Sequence, residues 1–338
     1  MKYLVVGNYG ADNLGDEMIL EGLIASFKKI DKAAEITVLS GNPNKTALMH
    51  GVRSFPMFPS GFRSYIKNLF APSEGQYKSL RECNYFVLGG GGLFGDLTKR
   101  AYIIWNTQCQ RALKMNKKII MYGQSVGPIK KKWQEKIVKN LFNQAHFVAV
   151  RDQESANELK RIGVERKVHV MPDLALRTGI KSKKGDTTIV APHYCLKDKE
   201  VIKDFAREHK ARVINFHPRD KGITGKGKTN YSIKDVHNEY KSANIVVGMR
   251  LHSIITAVKH GKAFIAINYS QKVKNFATEL GLEDQVLETN EIKNLGAIYE
   301  KTLKNKAQIE KKIAKYLSDS EKKLNEIEQT LKSQLQQH

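Results

Sequence analysis

Cysteine is scarce in this sequence, and long apolar runs are missing. The three cysteines, Cys83, Cys109 and Cys195, are odd in number and widely spaced, which excludes a disulfide framework and a clustered zinc site. No apolar run approaches the length that a membrane-spanning helix needs. The opening stretch "MKYLVVGNYG" has no long apolar core or small-residue cleavage site, so no signal peptide is expected. We expect a cytoplasmic protein that at most lies peripherally on the inner face of a membrane.

Acidic residues are also few relative to basic ones. The sequence has 34 Asp and Glu against 57 Lys and Arg, which gives a net charge of +23. Such an excess attracts nucleic acid, acidic membranes or phosphorylated substrates, although much of the lysine lies in runs typical of solvated surface. A nucleic-acid-binding protein would combine a basic stripe with exposed aromatic residues. Here the aromatic residues lie mostly inside apolar runs, and no nucleic-acid partner is expected.

The apolar residues that are present follow an alternating pattern. Short β-branched runs are separated by amphipathic segments with helical spacing, as in "DEMILEGLIASFKKI". Continuous apolar strands separated by helices indicate parallel sheets that are covered on both faces. The predicted strands are "KYLVVG", "EITVLS", "NYFVLGG", "KKIIMYG" and "AHFVAV" in the first half, and "TTIVAP", "ARVINF", "ANIVVG" and "AFIAIN" in the second.

The pattern predicts an α/β protein with two Rossmann-like, doubly wound domains, since 338 residues suit two domains of roughly 150 each. The first domain is predicted over residues 1–178 and the second over 187–290, joined by the basic linker "GIKSKKGD". Residues 291–338 are predicted to form a helical tail. Its apolar stripe, Leu324, Ile327, Leu331 and Leu335, either packs back on the body or forms a dimer contact.

Cations follow successive predicted strands of the second half. Because parallel strands end on the same edge of a sheet, where ligands bind, we expect these side chains to lie together. Arginine offers a bidentate fork for phosphate or carboxylate, lysine a compact charge, and histidine a proton near neutral pH. Taken singly, a strand-end arginine is as typical of solvated surface, a lysine is more typical of it, and a histidine is more typical of a hydrogen-bonded structural residue. The candidates are His217, Arg250, His252 and Lys272.

The strand ends of the first half carry acids and glycines instead. Asp16 and Glu17 open a helix after "GNYGADNLGDE", where they would suit the helix dipole and repel a pyrophosphate, so a dinucleotide fingerprint is not indicated. "GGGGLFGD" lets a ligand approach the backbone closely, and "GQSVGP" and "RDQES" follow the next two strands. Arg151 is either a strand-end cation or an ion-pair partner of Asp152 or Glu154. The other candidate binding residues are Gly90, Gly91 and Gln124.

These blocks, in this order, resemble the polysaccharide pyruvyl transferase family (CsaB/WcaK-like). The similar segments are "GNYGADNLGDEMIL", "GGGGLFGD", "GQSVGP", "RDQESANELKRIGV", "PDLAL" and "GMRLHSIITAVKHGKAFIAINYSQKVKNFATELG". They span most of residues 1–282. The resemblance implies a GT-B-like fold with two lobes facing across a cleft. It also implies transfer of pyruvate from phosphoenolpyruvate to a sugar of a cell-surface polysaccharide or its lipid-linked precursor, as a ketal.

The resemblance carries substrate-binding roles onto Arg151, Arg250, His252 and Lys272. The family commonly has Asp-Pro before this lysine, where the chain has Ser270-Gln271. His252 is the predicted general acid, since its charged form can hold an anion and give a proton, and Asp16 or Glu17 is the predicted proton acceptor.

Neither a metal nor a cofactor is expected, because cations can neutralise the phosphate of phosphoenolpyruvate. The alternative function is a GT-B glycosyltransferase that uses a nucleotide sugar. Such an enzyme would also need cations on the second lobe, together with a carboxylate for the ribose. The expected partners are phosphoenolpyruvate, a glycan or lipid-linked glycan, and an anionic membrane surface.

Overall fold

The computed structural model describes residues 1–60, 74–95, 98–177, 183, 185–224 and 231–337. The chain divides into two compact units. The first comprises Met1–Ala11, Asp16–Arg177 and the chain from Lys322 onward, and the second comprises Asp12–Gly15 and the chain after Arg177 as far as Glu321. Most of the predicted linker lies outside the described residues.

The first unit is built on a parallel sheet in which eight strands are described. Their order is β3-β2-β1-β4-β6-β7-β8, and β5 continues the line of β4 along β6. The strands are β1 (Lys2–Val6), β2 (Glu35–Ser40), β3 (Arg53–Pro56), β4 (Tyr85–Leu88), β5 (Gly91–Phe94), β6 (Lys118–Val126), β7 (Phe147–Val150) and β8 (His169–Val170). The helices between them are α1 (Leu14–Ile30), α2 (Pro43–His50), α3 (Glu74–Glu82), α4 (Lys99–Lys114), α5 (Lys132–Asn143) and α6 (Gln153–Arg161).

Side chains on both faces of this sheet are buried, which is why its strands are continuous apolar runs. Successive residues of β1 alternate between two cores, because strand side chains point to opposite faces in turn. Leu4 and Val6 belong to one core, while Tyr3 and Val5 belong to the other. The predicted double-sided covering of the sheet is therefore confirmed.

The second unit contains a five-stranded parallel sheet in the order β10-β9-β11-β12-β13. Its strands are β9 (Thr187–Ala191), β10 (Arg212–Val213), β11 (Ala243–Gly248), β12 (Ala263–Asn268) and β13 (Val286–Glu288). The accompanying helices are α7 (Lys199–Glu208), α8 (Lys221–Thr224), α9 (Ile233–Lys241), α10 (Leu251–Lys259), α11 (Gln271–Glu279) and α12 (Leu295–Lys304). The predicted α/β class with parallel sheets is confirmed in this unit as well.

The predicted tail contains a long helix, α13 (Lys306–Gln336). Its stripe of Leu324, Ile327, Leu331 and Leu335 is buried in the same core of the first unit as Tyr3. Glu328 on the same helix pairs with Arg177 at 2.8 Å, and both side chains are buried. Among the described residues, no helix combines the length and apolarity that crossing a membrane requires.

Several element boundaries differ from the sequence prediction. The strand predicted to end at Gly123 continues to Val126, so most of "GQSVGP" is strand rather than turn. Gly91 opens the short strand β5 instead of lying in a glycine loop. The strand predicted over "ARVINF" is only two residues long. The short strands β3, β8 and β13 were not predicted, because runs of two to four residues give no clear periodicity.

Candidate functional site

The ends of four neighbouring strands in the second unit carry the candidate site. The strands β10, β9, β11 and β12 are adjacent and parallel, so their carboxyl ends lie along one edge of the sheet. His217 follows β10, His193 follows β9, Arg250 follows β11 and Tyr269 follows β12. The buried run of β11 ends at a glycine, and Arg250 is the residue that precedes the first turn of α10.

Asp220 joins three of these strand ends. Its carboxylate is fully buried. Oδ2 accepts a hydrogen bond from Nε of Arg250 at 2.6 Å, and Oδ1 accepts one from Nη2 at 2.9 Å. The same oxygens accept from the backbone N–H groups of Tyr194 and His217, each at 3.1 Å. Four donors, two of them on a guanidinium, compensate for the cost of burying this charge.

The pair with Asp220 fixes the orientation of the Arg250 guanidinium. Because the group is planar and its donors have fixed directions, binding along the Nε–Nη2 edge determines where the Nη1–Nη2 edge points. Nη1 makes no hydrogen bond to any residue that the structure describes. Arg250 therefore keeps one edge that could bind a carboxylate or a phosphate.

His193 is the centre of a stack of three rings. The ring centroid of Tyr194 lies 4.5 Å from that of His193, and the centroid of Tyr269 lies 4.1 Å away on nearly parallel planes. Its Nδ1 accepts a hydrogen bond from the backbone N–H of Cys195 at 3.1 Å. Burial, assisted by the charge of Arg250, lowers the pKa of His193 to about 4. The ring is therefore neutral at pH 7, with its proton on Nε2.

The outer side of this stack is both aromatic and basic. Tyr194 and Tyr269 are 42% and 37% exposed, although large apolar side chains are normally buried. The guanidinium carbons of Arg219 and Arg250 each lie 5.8 Å from the ring centroid of Tyr194, within cation–π range. The candidate site thus presents two rings and two guanidinium groups at one sheet edge.

His217 adds a second neutral imidazole beside Arg250. Its Nδ1 accepts a hydrogen bond from the backbone N–H of Arg219 at 3.2 Å. Burial and the charge of Arg250 lower the pKa of His217, while the carboxylates of Asp220 and Asp12 act in the opposite direction. The structure thus brings two predicted binding residues, His217 and Arg250, to the same buried carboxylate.

His252 lies in the first turn of α10, where its carbonyl accepts a hydrogen bond from Oγ1 of Thr256 at 2.5 Å. Residues 12–15 of the opening motif belong to this unit, and N of Leu14 donates to O of Phe216 at 3.0 Å. A Cβ atom at Gly15 would lie 2.4 Å from Nδ1 of His252. Any side chain at Gly15 would therefore displace His252, which explains why the motif has glycine there.

Lys272 lies in the first turn of α11, after the strand end that carries Tyr269. Its side chain is exposed, so it can reach a ligand from solvent. The departure at Ser270-Gln271 leaves Ser270 as the residue before the helix, with extended backbone. The role of Lys272 in binding the donor stays a prediction.

The two predicted acids of the first unit differ in their surroundings. Both oxygens of Glu17 are engaged: Oε1 accepts from N of Gly10 at 2.7 Å, and Oε2 pairs with Nε2 of His50 at 2.8 Å. Oδ2 of Asp16 accepts from Nδ2 of Asn8 at 2.8 Å. A Cβ atom at Gly91, where φ is +109°, would lie 3.3 Å from Oδ1 of Asp16. Two predicted residues, Asp16 and Gly91, are therefore neighbours at the sheet edge.

Gly90 and Gln124 lie deeper in the first sheet. A Cβ atom at Gly90 would lie 2.9 Å from O of Gly123, so a side chain there would collide with the neighbouring strand. Gln124 is fully buried, and its Nε2 donates to O of Leu88. Its Oε1 has no hydrogen-bond partner among the described residues. These contacts give both residues a structural role, and a contact with substrate stays a prediction.

Arg151 is held by two carboxylates of the first unit. Its Nε lies 3.4 Å from Oδ2 of Asp152, and its Nη1 lies 3.3 Å from Oδ2 of Asp173. The ion-pair alternative is therefore realised with Asp152, and Asp173 of the "PDLAL" block is a second partner. Whether Arg151 also binds the donor stays a prediction.

Sequence reasoning missed four residues of the candidate site: His193, Tyr194, Asp220 and Tyr269. A signal was available, because "PHYC" follows a predicted strand in the same way as the segments that were selected. Asp220 lies three residues after the predicted His217, in the segment "HPRD". Its function as a hydrogen-bond acceptor depends on donors from other strand ends, which no local pattern reveals.

The described residues offer no metal-binding cluster, and their two buried cysteines are not reactive. No group of three or more His, Cys, Asp or Glu side chains is arranged there to hold a metal ion. Burial raises the pKa of Cys83 to about 11 and that of Cys109 to about 12, which keeps both thiols protonated and unreactive. The exposed Cys195 contributes its backbone N–H to His193.

Comparison of the sequence with known families and proteins gives two matches. The family model for polysaccharide pyruvyl transferases matches residues 13–271. The chain is also similar to the amylovoran biosynthesis protein AmsJ of Erwinia amylovora, with 23% identity over 93% of this chain and 95% of that protein. The family match covers most of the first unit and the strand ends that carry the candidate site.

Comparison with solved structures gives the fold. A putative UDP-N-acetylglucosamine 2-epimerase from Listeria monocytogenes has a TM-score of 0.63 and 9% identity, over 100% of this chain and 97% of that one. Anabaena Alr3699/HepE, in complex with UDP and glucose, has a TM-score of 0.62 and 14% identity over the whole of both chains. These neighbours are GT-B-like epimerases and glycosyltransferases, and at such low identity the similarity shows the fold alone.

Proposed function

Because the chain belongs to the polysaccharide pyruvyl transferase family, we propose that it moves the pyruvate unit of phosphoenolpyruvate onto a sugar of a cell-surface polysaccharide. The acceptor is the polysaccharide itself or its lipid-linked precursor, and the product is a ketal. The family match and the similarity to a polysaccharide biosynthesis protein establish a polysaccharide-modifying transferase. The donor, the acceptor and the residue roles below are our proposal.

The observation that carries the choice of donor is the clustering of cationic and neutral donors at one edge of the second sheet. Phosphoenolpyruvate has a phosphate and a carboxylate, and a site for it needs several hydrogen-bond donors in a small space. The open edge of Arg250, the exposed Arg219 and the neutral imidazoles of His193 and His217 supply them. Lys272 would add a further charge from the start of α11.

The reaction requires a group that donates one proton to the donor, and it requires the removal of one proton from each of two sugar hydroxyls. A proton added to the methylene carbon of phosphoenolpyruvate makes the methyl group and leaves a cationic carbon that bears the phosphate. One sugar hydroxyl adds to that carbon and loses its proton. The C–O bond to phosphate then breaks, phosphate leaves, and a second hydroxyl adds and loses its proton. Cations around the phosphate stabilise the charge that develops as it leaves.

His252 is the proposed general acid. It follows Arg250 by two residues and lies in the first turn of α10, so its position is set by the same strand end that sets the guanidinium. A histidine can donate a proton near neutral pH. Gly15 leaves room for the ring, so the opening motif contributes directly to the placement of His252.

Asp16 is the better of the two predicted proton acceptors. Both oxygens of Glu17 are occupied by a backbone N–H and by His50, which favours a structural role. Asp16 lies beside the backbone of Gly91 at the edge of the first sheet, where parallel α/β sheets bind ligands. We propose that the acceptor binds near Asp16, Gly90 and Gly91, and that the reaction uses no metal or cofactor.

The experiment that tests this function is a transfer assay. Purified protein is incubated with isotopically labelled phosphoenolpyruvate and a panel of glycan and lipid-linked glycan acceptors. We expect label in the glycan as an acid-labile ketal, with one phosphate released per ketal. Phosphate release without label in any acceptor, or transfer that requires a nucleotide sugar, would contradict the proposal.

Calorimetry separates the proposed donor from that of a nucleotide-sugar glycosyltransferase. We expect phosphoenolpyruvate to give saturable heat, while UDP- and GDP-sugars give none at the same concentrations. The reverse result would favour the glycosyltransferase.

We also propose that the protein is cytoplasmic and contacts anionic membrane through part of its basic surface, since the net charge is +23. Co-sedimentation with vesicles should then rise with their content of acidic lipid and fall with salt. Sedimentation that does not depend on acidic lipid would refute the membrane contact.

A further inference from the structure

Asp220 is the meeting point of segments that lie far apart in the sequence. Its carboxylate accepts from the backbone of Tyr194, which is 26 residues earlier, and from the side chain of Arg250, which is 30 residues later. It also accepts from N of His217. Three strand ends of the candidate site are therefore connected by one side chain, and that side chain is fully buried.

Stability alone does not explain a buried ion pair at this position. Removing two charges from water costs about as much as their attraction returns, and apolar residues of the same volume often serve equally well. The pair fixes the orientation of the Arg250 guanidinium, because an arginine side chain without a partner samples many rotamers. The short contact from Nε to Oδ2 and the contact from Nη2 to Oδ1 leave one orientation of the guanidinium plane.

We propose that Asp220 is a positioning residue, which holds the open Nη1–Nη2 edge of Arg250 toward the donor and so aligns phosphoenolpyruvate for transfer. It does not touch the donor itself. This inference rests on the proposed function for its kinetic consequences, whereas its electrostatic consequences do not depend on that function.

Asp220 also sets the charge balance around the two neutral imidazoles. The Arg250 charge lowers the pKa of both His193 and His217, and the Asp220 carboxylate acts against it. Arg219 and Asp12 also act on the pKa of His217, and His217 itself acts on the pKa of His193. Removal of the Asp220 charge should therefore lower the pKa of both histidines further while the fold is kept.

The central test is Asp220→Asn, which keeps the shape of the side chain but removes the charge and one acceptor. We expect kcat to fall by about 100-fold, because a misaligned group costs that much. KM for phosphoenolpyruvate should change much less, since Arg250 keeps its charge. An unchanged kcat, or a loss confined to KM, would overturn the positioning role.

A double-mutant cycle shows whether Asp220 acts through Arg250. Lysine at position 250 keeps the charge but has no planar fork to align. In the Arg250→Lys background, Asp220→Asn should therefore lower kcat by less than about threefold, since coupled residues are not additive. Full additivity of the two changes would show that Asp220 acts by another route.

A matched control comes from Asp204, which is exposed and pairs with Arg207 in the same unit. Asp204→Asn removes the same charge and should leave kcat unchanged; a loss like that of Asp220→Asn would mean that net charge alone is responsible. If Asp220→Asn does not fold, Asp220→Glu, which keeps the charge but shifts it by one methylene group, is measured instead. The same loss of kcat is expected, and normal turnover would overturn the proposal.

The final arm does not need the transfer reaction. The imidazole signals of His193 and His217 are titrated by NMR in the original protein and in Asp220→Asn. Lower pKa values of the two histidines in the variant support the charge coupling, whatever the transfer assay shows. If no acceptor yields a ketal, only the proposed function is refuted. Unchanged pKa values of both histidines would overturn the inference itself.

Discussion

The charged candidate residues of the two units have different surroundings, although they look alike in the sequence. In the first unit, Glu17 and Arg151 are engaged by neighbouring groups of the same unit. In the second unit, Arg250 is engaged along one edge only, and Arg219 beside it is exposed. The difference shows that a strand-end charge indicates a ligand site only when donors remain after the local contacts are counted.

The difference follows from what surrounds each charge. Glu17 lies in the first turn of α1 and pairs with His50, and Arg151 lies between the carboxylates of Asp152 and Asp173. The cluster of the second unit is assembled from four strand ends, three of which meet at the carboxylate of Asp220. Asp220 pairs with Arg250, while Arg219 lies exposed beside the Tyr194 ring, so this edge keeps an excess of positive charge.

The largest effect on kcat should come from His252, the proposed general acid in the second unit. His252→Ala is expected to lower kcat by about 10²–10⁴-fold, as loss of a general acid does. Steady-state kinetics with phosphoenolpyruvate measure the change, and calorimetry checks that the variant still binds the donor. Near-normal turnover would remove His252 from the mechanism and weaken the contrast between the units.

Glu17→Gln should act on stability instead of turnover. A buried carboxylate that loses its charge leaves His50 and the N–H of Gly10 poorly paired, at a cost of about 3 kcal/mol. Both tryptophans of the chain, Trp105 and Trp133, lie in the first unit. Urea unfolding followed by tryptophan fluorescence therefore reports the stability of that unit directly.

Glu35→Gln is the matched control for Glu17→Gln. Glu35 pairs with Arg53 at the surface, where both side chains are more than half exposed, and its loss should cost less than about 1 kcal/mol. Asp16→Asn completes the set, with an expected loss of kcat at nearly normal stability. If Glu17→Gln proved stable but inactive, the assignment of the two acids would have to be exchanged.

Lys272 gives a smaller and more selective effect. Lys272→Ala should raise KM for phosphoenolpyruvate about tenfold, the size expected for one hydrogen bond to a charged group. Lys274 lies on the same helix and pairs with Glu288 at 3.6 Å, so Lys274→Ala should change KM less than about twofold. Equal effects of the two substitutions would mean that Lys272 contributes only to the general basic field.

The smallest effect concerns pH. His193 has a folded pKa of about 4 against its ordinary 6.5, so between these values the unfolded chain binds a proton that the folded chain excludes. The contribution of His193 to stability is therefore present above pH 6.5 and is lost as the pH falls toward 4. His193→Phe keeps a ring in the stack and removes this titration.

Hydrogen exchange of the β9 amides at pH 7 and pH 5 measures that contribution. The original protein should lose more protection between the two pH values than His193→Phe. His217 and the Arg250–Asp220 pair stay in both proteins, so the difference isolates His193. An equal loss of protection would show that the His193 ring does not resist protonation in the folded protein.

The sequence predicted the fold well because the fold depends on buried runs. Strands such as "ANIVVG" and "AFIAIN" occupy the predicted residues, since both faces of a parallel sheet are covered and polar residues are excluded. The sequence prediction ended the strand at Gly123 and therefore placed Gln124 in a turn. In the structure β6 continues to Val126, so Gln124 lies within the strand. The short edge strand β13 has too few residues for any period to be visible.

The candidate site could be predicted only in part. Arg250 and His217 were selected because each directly follows a strand, and that rule depends on topology alone. The stack of His193 between Tyr194 and Tyr269 requires β9 to lie near β12 across β11, and the function of Asp220 requires donors from three strand ends. These contacts depend on strand order, which a single sequence does not specify.

The most direct test of the central claim is an NMR titration of the histidine side chains with phosphoenolpyruvate. We expect saturable shifts of the His193 and His217 imidazole signals, because the donor would bind beside the open edge of Arg250. The His169 signal, in the first unit, should stay in place. If the donor shifted the His169 signal and left those of His193 and His217 unchanged, or did not bind at all, the proposed donor site beside Arg250 would be refuted.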